Sequence, residues 1–207
     1  MSSRQDWASG FTLLEVLVSL IILLIGLLGI AILMLKGQRA SFEGYQRQQA
    51  LAMAQEMAEK IRANQGGAPY YVTGTTDGND MPGQGNLLKD NENNCSDACT
   101  PEQIAAKHLA TWDGMLVGAA ETKDVATNTV GGIIGARGCI EWPEKDAAMP
   151  VFWVSVAWQG EGDTVAPANN ASACGQGLYG KEERRRLVTL RVSTCVLNAL
   201  KPWGCAS

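Results

Sequence analysis

The most distinctive pattern in the chain is an uninterrupted run of apolar residues near its start. From Val16 to Leu35 the sequence contains no charged residue, and Glu15 is the one charge between Phe11 and Leu35. Twenty uncharged residues in a helix, rising 1.5 Å each, extend about 30 Å, which is the thickness of bilayer hydrocarbon. The pattern therefore predicts a hydrophobic transmembrane helix over residues 11–35.

The hydrophobic pattern changes after Leu35 but still indicates a helix. Residues 36–64 contain no proline and are rich in Gln, Arg, Ala, Met, Glu and Lys, which favour helix formation. Their apolar positions follow helical spacing and predict an amphipathic continuation whose stripe packs against its own domain. The stripe comprises Phe42, Tyr45, Ala50, Met53, Ala54, Met57, Ala58 and Ile61.

Residues 65–207 predict a single globular domain of mostly β structure. Residues 65–94 are rich in turn-forming Gly, Asn, Asp and Pro, so we expect a long loop with a short strand near 70–73. Thr100, Pro101 and Gln103 form an N-terminal capping pattern for a short helix over 101–112.

Three later segments have the composition or alternation of strands. They are residues 133–142, 151–158 and 187–194, and a long loop over 159–180 separates the last two. In the last strand Val188, Leu190 and Val192 are expected to point inward. We predict an α+β fold in which an antiparallel meander packs on the long helix, with both large loops at the rim of the sheet.

The six cysteines favour disulfides over a metal site. They occur in a chain that also has a membrane-targeting segment, which indicates an oxidising compartment. None is in a C-x-x-C pair, and His108 is the sole histidine available for zinc. Cys95–Cys99 is the first choice of pairing because the two are close in sequence, and the other four allow three pairings among which the sequence does not decide. Those four are Cys139, Cys174, Cys195 and Cys205.

The remaining polar groups do not suggest catalysis, a cofactor or nucleic-acid binding. The net charge is −4, so no basic excess favours nucleic acid. In the cluster 181–186 two glutamates largely offset the three arginines, and we expect these residues to be solvent-exposed at the start of a strand. The acidic residues of 77–90 lack the spacing and closing Glu of a calcium loop. His108 shares a helix face with Ile104, Leu109 and Trp112 and is expected to be packed or hydrogen-bonded. No nucleophile, P-loop or zinc-protease motif occurs, so we expect a protein that is not an enzyme.

The start of the chain departs from an ordinary secretory signal. A secretory signal places its apolar region before the cleavage site, whereas the candidate site here, between Gly10 and Phe11, precedes the apolar run. Cleavage there would leave the helix on the mature protein. An unpaired carboxylate in hydrocarbon costs roughly 3 kcal/mol, so Glu15 is expected to have a partner. The new ammonium of Phe11, on the same or a neighbouring chain, is the obvious one.

At these residues the chain resembles the class III signal of type IV pilins and of type II secretion pseudopilins. The shared pattern is a short leader (residues 1–10), then Gly10, Phe11, Thr12, Leu13 and Glu15. The resemblance implies a pilin-like fold, cleavage after Gly10 by a prepilin peptidase and N-methylation of Phe11. It further implies that Glu15, and with it Thr12, serves in assembly by registering the subunit against its neighbour.

Three parts of the chain resemble the PilV-type minor pilins: the sequence LLEVLVSL, the segment around Cys95, Cys99 and Thr100, and the long cysteine-bearing C-terminal region. This resemblance implies a subunit that primes type IV pilus assembly within a low-abundance, tip-located complex used in twitching and adhesion. The implied partners are other minor pilins, the major pilin and a tip adhesin. The implied location is the inner membrane, with the globular domain in the periplasm, and then the pilus. A type II secretion pseudopilin is the alternative; a DNA-uptake pilin and a membrane-anchored enzyme fit less well.

Overall fold

The computed structural model describes residues 12–75, 81–87, 98–118, 133–143 and 150–194. Two α-helices are present in these ranges, α1 (Leu13–Ala63) and α2 (Pro101–Val117), with three strands, β1 (Arg137–Glu141), β2 (Val151–Gln159) and β3 (Arg185–Ser193). Short 3-10 helices cover Gln65–Tyr71 and Glu182–Arg184. The chain divides into two compact units, Met1–Phe42 and Glu43–Ser207.

The first unit consists, in its described part, of the start of α1. Every residue from Thr12 to Phe42 is exposed, including the large apolar side chains of the run. By length and composition, α1 is the one helix in the described residues that could cross a membrane, and its most apolar stretch has a mean hydropathy of 3.2. This agrees with the apolar helix that the sequence predicts.

In the second unit, the later part of α1 is amphipathic as expected, but its buried stripe starts later than predicted. Phe42 and Tyr45 are 47% and 57% exposed. At 100° per residue, both lie outside the arc that the buried residues define, so the prediction that they belong to the stripe is wrong. Half of the buried residues on this face are alanine, whose small side chain lets the helix lie close to its neighbours. The buried residues are Gln46, Ala50, Ala54, Met57, Ala58 and Ile61.

The three strands form the expected antiparallel meander in the order β1-β2-β3. The pairing places Cys139, Ser155 and Thr189 side by side across the sheet. Strand β1 begins later than the predicted 133, and β3 begins earlier than the predicted 187. The α+β architecture, with a long N-terminal helix packed on a small antiparallel sheet, is confirmed.

The inner face of the sheet carries the main hydrophobic core. The alternate positions Phe152, Val154 and Val156 of β2 are fully buried, with Val192 of β3, among side chains of α1 and α2. The Trp112 indole of α2 donates to the Met53 carbonyl of α1 at 3.1 Å. The two helices are therefore joined to each other as well as to the sheet.

Gly138 lets α2 approach β1 closely. A Cβ built on Gly138 would lie 2.5 Å from the Trp112 ring and 2.7 Å from Leu116. A glycine inside a strand is typical of a bulge or of a close approach by another segment, and here it is the close approach that is observed.

The outer face of the sheet is covered in part by the chain between β2 and β3, where the sequence predicted a loop at the rim. The Cys139–Cys174 disulfide ties this segment to β1, and the Tyr179 hydroxyl donates to the Gly135 carbonyl at 2.9 Å. With Met81 and Ala157, these side chains form a second buried cluster. The prediction that this loop lies at the rim is wrong, because its apolar residues pack against the outer face of the sheet.

The segments around α2 show one confirmation and two corrections. Thr100 and Gln103 make both bonds of the capping box. Helix α2 continues past residue 112 to Val117 and ends at Gly118, whose φ of 70° is readily accessible to glycine. The predicted strand near 70–73 is instead the 3-10 helix Gln65–Tyr71, and only Thr73 bonds to the sheet, through Ile140.

Candidate functional site

The start of α1 holds the predicted assembly residues Thr12 and Glu15. The Thr12 side-chain oxygen accepts from the Glu15 amide at 3.3 Å, and the Thr12 carbonyl accepts from the amides of Glu15 and Val16. Thr12 thus caps the helix N-terminus, a role that its spacing from Glu15 in a Thr-x-x-Glu pattern could have indicated. Gly10 and Phe11 lie outside the described residues, so cleavage and methylation there stay predictions.

The Glu15 carboxylate is exposed at this helix end. Within the part of the chain that the structure describes, no cation or hydrogen-bond donor pairs with its side chain. It is surrounded along the helix by exposed Leu13, Leu14 and Val16. The arrangement leaves one charge available on an otherwise apolar helix surface.

His108 joins α2 to the 3-10 helix that follows α1. Its Nδ1 lies 2.6 Å from the Tyr71 hydroxyl, and the Asn64 amide donates to the same hydroxyl at 3.3 Å and to the Pro101 carbonyl at 2.7 Å. Burial, and then the charges of Lys60 and Lys107, lower the pKa of His108, while burial raises the pKa of Tyr71. We therefore assign the tyrosine hydroxyl as donor to a neutral imidazole. The expectation of a hydrogen-bonded histidine is confirmed.

Asp113 organises a loop and was missed by sequence reasoning. This buried residue of α2 accepts from the amides of Gly83, Gln84 and Gly85 through Oδ1, at 2.6–3.0 Å. Its Oδ2 accepts from the Leu87 amide at 3.0 Å. An acidic residue on the buried side of a capped helix was the available signal, but the glycine-rich partner loop could not be identified from spacing alone.

The predicted charge cluster 181–186 pairs with the chain's own carboxylates and carbonyls. Lys181 and Arg184 both contact Asp163, whose pKa their hydrogen bonds lower. The Arg186 guanidinium contacts Glu43 of α1 at 3.1 Å and the Gly162 carbonyl at 2.8 Å. Such pairing does not favour a nucleic-acid site.

Arg185 corrects the expectation that this cluster is solvated throughout. Its side chain is 5% exposed and donates to the carbonyls of Ser172 and Cys174, each at 3.0 Å, and to Glu182 at 2.7 Å. Burial alone would raise the pKa of Glu182, but the Gly177 amide and Arg185 outweigh it and lower that pKa. Arg185 therefore holds the loop that covers the outer face.

The disulfide prediction is resolved for one pair. Cys139 and Cys174, both fully buried, form a disulfide with a Cα–Cα distance of 5.7 Å. Cys99 is also disulfide-bonded, and no cysteine in the described ranges is free. Cys95, Cys195 and Cys205 lie outside those ranges, so the Cys95–Cys99 pairing stays a prediction. Among described residues, no group of three metal-ligating side chains comes together.

Two family models match the chain. One, described as the prokaryotic N-terminal methylation motif, matches residues 8–31 and so includes Gly10, Phe11, Thr12 and Glu15. The other, described as type IV pilin Tt1218, matches residues 33–113, from the middle of α1 to Asp113 in α2. No curated protein and no solved structure matches the chain.

Proposed function

From its identification as a type IV pilin with a class III signal peptide, we propose that this chain is a PilV-type minor pilin. It primes assembly of the type IV pilus and sits in a low-abundance complex at the tip. It contributes packing surfaces and no catalytic chemistry.

The observation that carries the proposal is the methylation-motif match over residues 8–31, on a helix whose apolar side chains are exposed from Leu13 onward. A lone soluble domain would not leave such a surface uncovered. Either lipid or the helices of other subunits would cover it, and a pilin meets both in succession.

The proposed pathway begins in the inner membrane. The apolar part of α1 spans the bilayer, and the globular domain lies in the periplasm. A prepilin peptidase cuts between Gly10 and Phe11 and methylates the new amino group. The mature chain then leaves the membrane and joins a bundle of similar helices.

During that step Glu15 sets the offset between the helices of neighbouring subunits. An isolated carboxylate among hydrocarbon is unfavourable by roughly 3 kcal/mol, and a neighbouring subunit's Phe11 ammonium removes most of that penalty by pairing with it. Apolar contact along α1 holds the subunits together without fixing their offset. The ion pair favours one offset, because only there do the two charges meet.

The globular domain meets the other minor pilins, the major pilin and a tip adhesin. Its buried disulfide and the Arg185 contacts support this role, since both fasten the loop between β2 and β3 to the sheet. A surface so fastened can present a fixed shape outside the cell, where disulfides persist.

The test compares Glu15→Leu with Ser19→Ala, a second polar residue of the same helix, in cells without a paralogous minor pilin. We expect Ser19→Ala to assemble normally and Glu15→Leu to reduce pilus number about tenfold at equal membrane levels of the subunit. Normal pili from Glu15→Leu would contradict the role of Glu15. The amount of this chain in sheared pili relative to the major pilin tests the minor role. A secretion defect with normal pili would instead support a type II secretion pseudopilin.

A further inference from the structure

The two edges of the sheet differ in how they are protected. At the β1 edge, the Thr73 amide donates to the Ile140 carbonyl, the Ile140 amide donates to the Thr73 hydroxyl, and the Gly138 amide donates to the Pro82 carbonyl. Segments of the chain itself therefore close that edge, which is how soluble proteins usually avoid unwanted strand pairing.

In the ranges that the structure describes, no segment pairs with the β3 edge. The Gly160 amide bonds to the Arg184 carbonyl and the Thr194 amide to the Pro150 carbonyl, so the even-numbered residues of β3 face β2. The odd-numbered residues direct their amides and carbonyls to the other side. Within the described residues, no hydrogen bond reaches the backbone of Leu187, Thr189, Arg191 or Ser193.

A groove lies beside the first half of this edge. The Thr164 amide bonds to the Glu183 carbonyl at 2.9 Å, as a fourth strand would begin, and the loop then diverges from β3. The space left is about 420 Å³. Its apolar wall includes Val165, which is 92% exposed, with Pro167 and Ala168, and its other wall is β3.

The β3 edge also carries a charged side chain, Arg191. The register places Glu141, Trp153 and Arg191 in one row across the outer face, and the Arg191 guanidinium lies 5.2 Å from the centre of the Trp153 ring. No carboxylate pairs with Arg191 in the part of the chain that is described. A residue of a strand that paired with β3 would occupy the next position in this row, directly beside Arg191.

We propose that the β3 edge binds an extended segment from the globular domain of a different, neighbouring pilin subunit, which adds a fourth strand to the sheet. That segment carries a carboxylate opposite Arg191 and small apolar side chains in the groove beside Val165. The inference rests on the proposed function, because the pilus is what places another pilin's domain beside this one. Backbone bonds supply the affinity and the Arg191 pair selects the partner.

Charge favours a different subunit over a second copy of this chain. Strand β3 contains no acidic residue, and of its arginines Arg185 pairs with Glu182 and Arg186 pairs with Glu43. Two β3 edges brought together would therefore add a second Arg191 and no β3 carboxylate to pair with either one. This charge pattern disfavours the pairing of two β3 edges, so we place the acidic partner segment on a different pilin.

The experiment introduces a photo-crosslinking benzoylphenylalanine at the exposed Ser193 of the full-length chain in piliated cells. The crosslinked peptide is sequenced by mass spectrometry from sheared pili. We compare Thr189→Pro, which removes an outward amide, with Thr189→Val, since both lose the Thr189–Ser155 hydroxyl bond and only the proline loses the edge donor.

We expect a crosslink to an acid-containing segment of another pilin, kept by Thr189→Val and reduced about tenfold by Thr189→Pro. If Thr189→Pro does not accumulate with its Cys139–Cys174 disulfide, Arg191 decides: Arg191→Glu should lose the crosslink and Arg191→Lys should keep it.

A crosslink that none of these changes reduces would overturn the edge proposal, as would a crosslink to the chain itself or to a second copy. Pili that contain this chain but give no crosslink would overturn it while leaving the proposed function standing. Absence of the unmodified chain from pili would overturn the proposed function and this partner together.

Discussion

The Tyr71 hydroxyl lies 2.6 Å from Nδ1 of His108, and this contact joins the turn after α1 to the middle of α2. Tyr71 is fully buried, and its hydroxyl also lies 3.3 Å from the Lys60 carbonyl in the last turns of α1. The pair therefore couples the end of the long helix to the globular domain, in a unit that must transmit force if the chain is part of a fibre.

The first prediction concerns pH. Because burial and the nearby lysines lower the pKa of His108 below its usual 6.5, the unfolded chain binds more protons than the folded chain between 6.5 and that lower value. The free energy of unfolding should thus be unaffected above pH 6.5 and should fall as pH drops through this window.

Urea unfolding of the full chain in detergent at several pH values measures this effect. His108→Gln should be less stable at neutral pH but should lose the slope between pH 6.5 and the lower pKa, since the chain has one histidine. An unchanged slope in the variant would assign it to other groups.

The second prediction concerns the carboxylate of Asp113. Both carboxylate oxygens of Asp113 accept hydrogen bonds from backbone amides. In Asp113→Asn an NH2 group, which can only donate, replaces one of them. The free energy of unfolding should decrease by about 1–3 kcal/mol, because a buried donor is left unsatisfied. Hydrogen exchange should quicken at the amides of Gly83 and Leu87. Asp163→Asn, at an exposed ion pair, is the control and should change little; equal effects in both variants would refute the anchoring role.

The third prediction concerns the close approach at Gly138. Gly138→Ala should lower the free energy of unfolding by about 1–3 kcal/mol, because its methyl group would overlap the Trp112 ring. Gly162→Ala adds the same group where no heavy atom lies within 4 Å and should change stability by less than about 0.5 kcal/mol. Tryptophan fluorescence during denaturation measures both, and a neutral Gly138→Ala would mean that α2 can shift away from β1.

The fourth prediction concerns the covered outer face. Replacing Cys139 and Cys174 together with alanine should reduce the free energy of unfolding by about 2–4 kcal/mol, since the bridge closes a long loop with a sequence separation of 35. Hydrogen exchange should rise around Tyr179, where the loop rests on the sheet, more than in β2. Uniform exchange across the sheet would show that the bridge does not hold this loop in particular.

The sequence predicted the elements whose pattern is local. The apolar run, the meander and the capping box at Thr100 each follow from short-range spacing, and each is present. The exposure of Tyr45 and the second buried cluster around Tyr179 were not predictable in the same way. Both depend on which side of a helix or strand a distant segment packs against. The periodicity of apolar residues predicts which face is apolar but not which segment covers that face.

The candidate site shows the same division. Thr12 and Glu15 were recognised from a local motif, and the structure adds that Thr12 caps α1. Asp113 and Arg185 were missed because each bonds to backbone groups of a distant loop. Backbone donors and acceptors occur at nearly every residue, so the sequence carries no mark of which ones a buried side chain will select.

The most direct measurement for the whole account is the mass of the N-terminal peptide of the chain purified from pili. The account predicts a peptide that begins at Phe11 and is heavier by one methyl group on its amino nitrogen, which supplies the cation that Glu15 needs. A peptide that begins at Met1 would contradict it, because the amino group would then lie ten residues away from the start of the apolar helix.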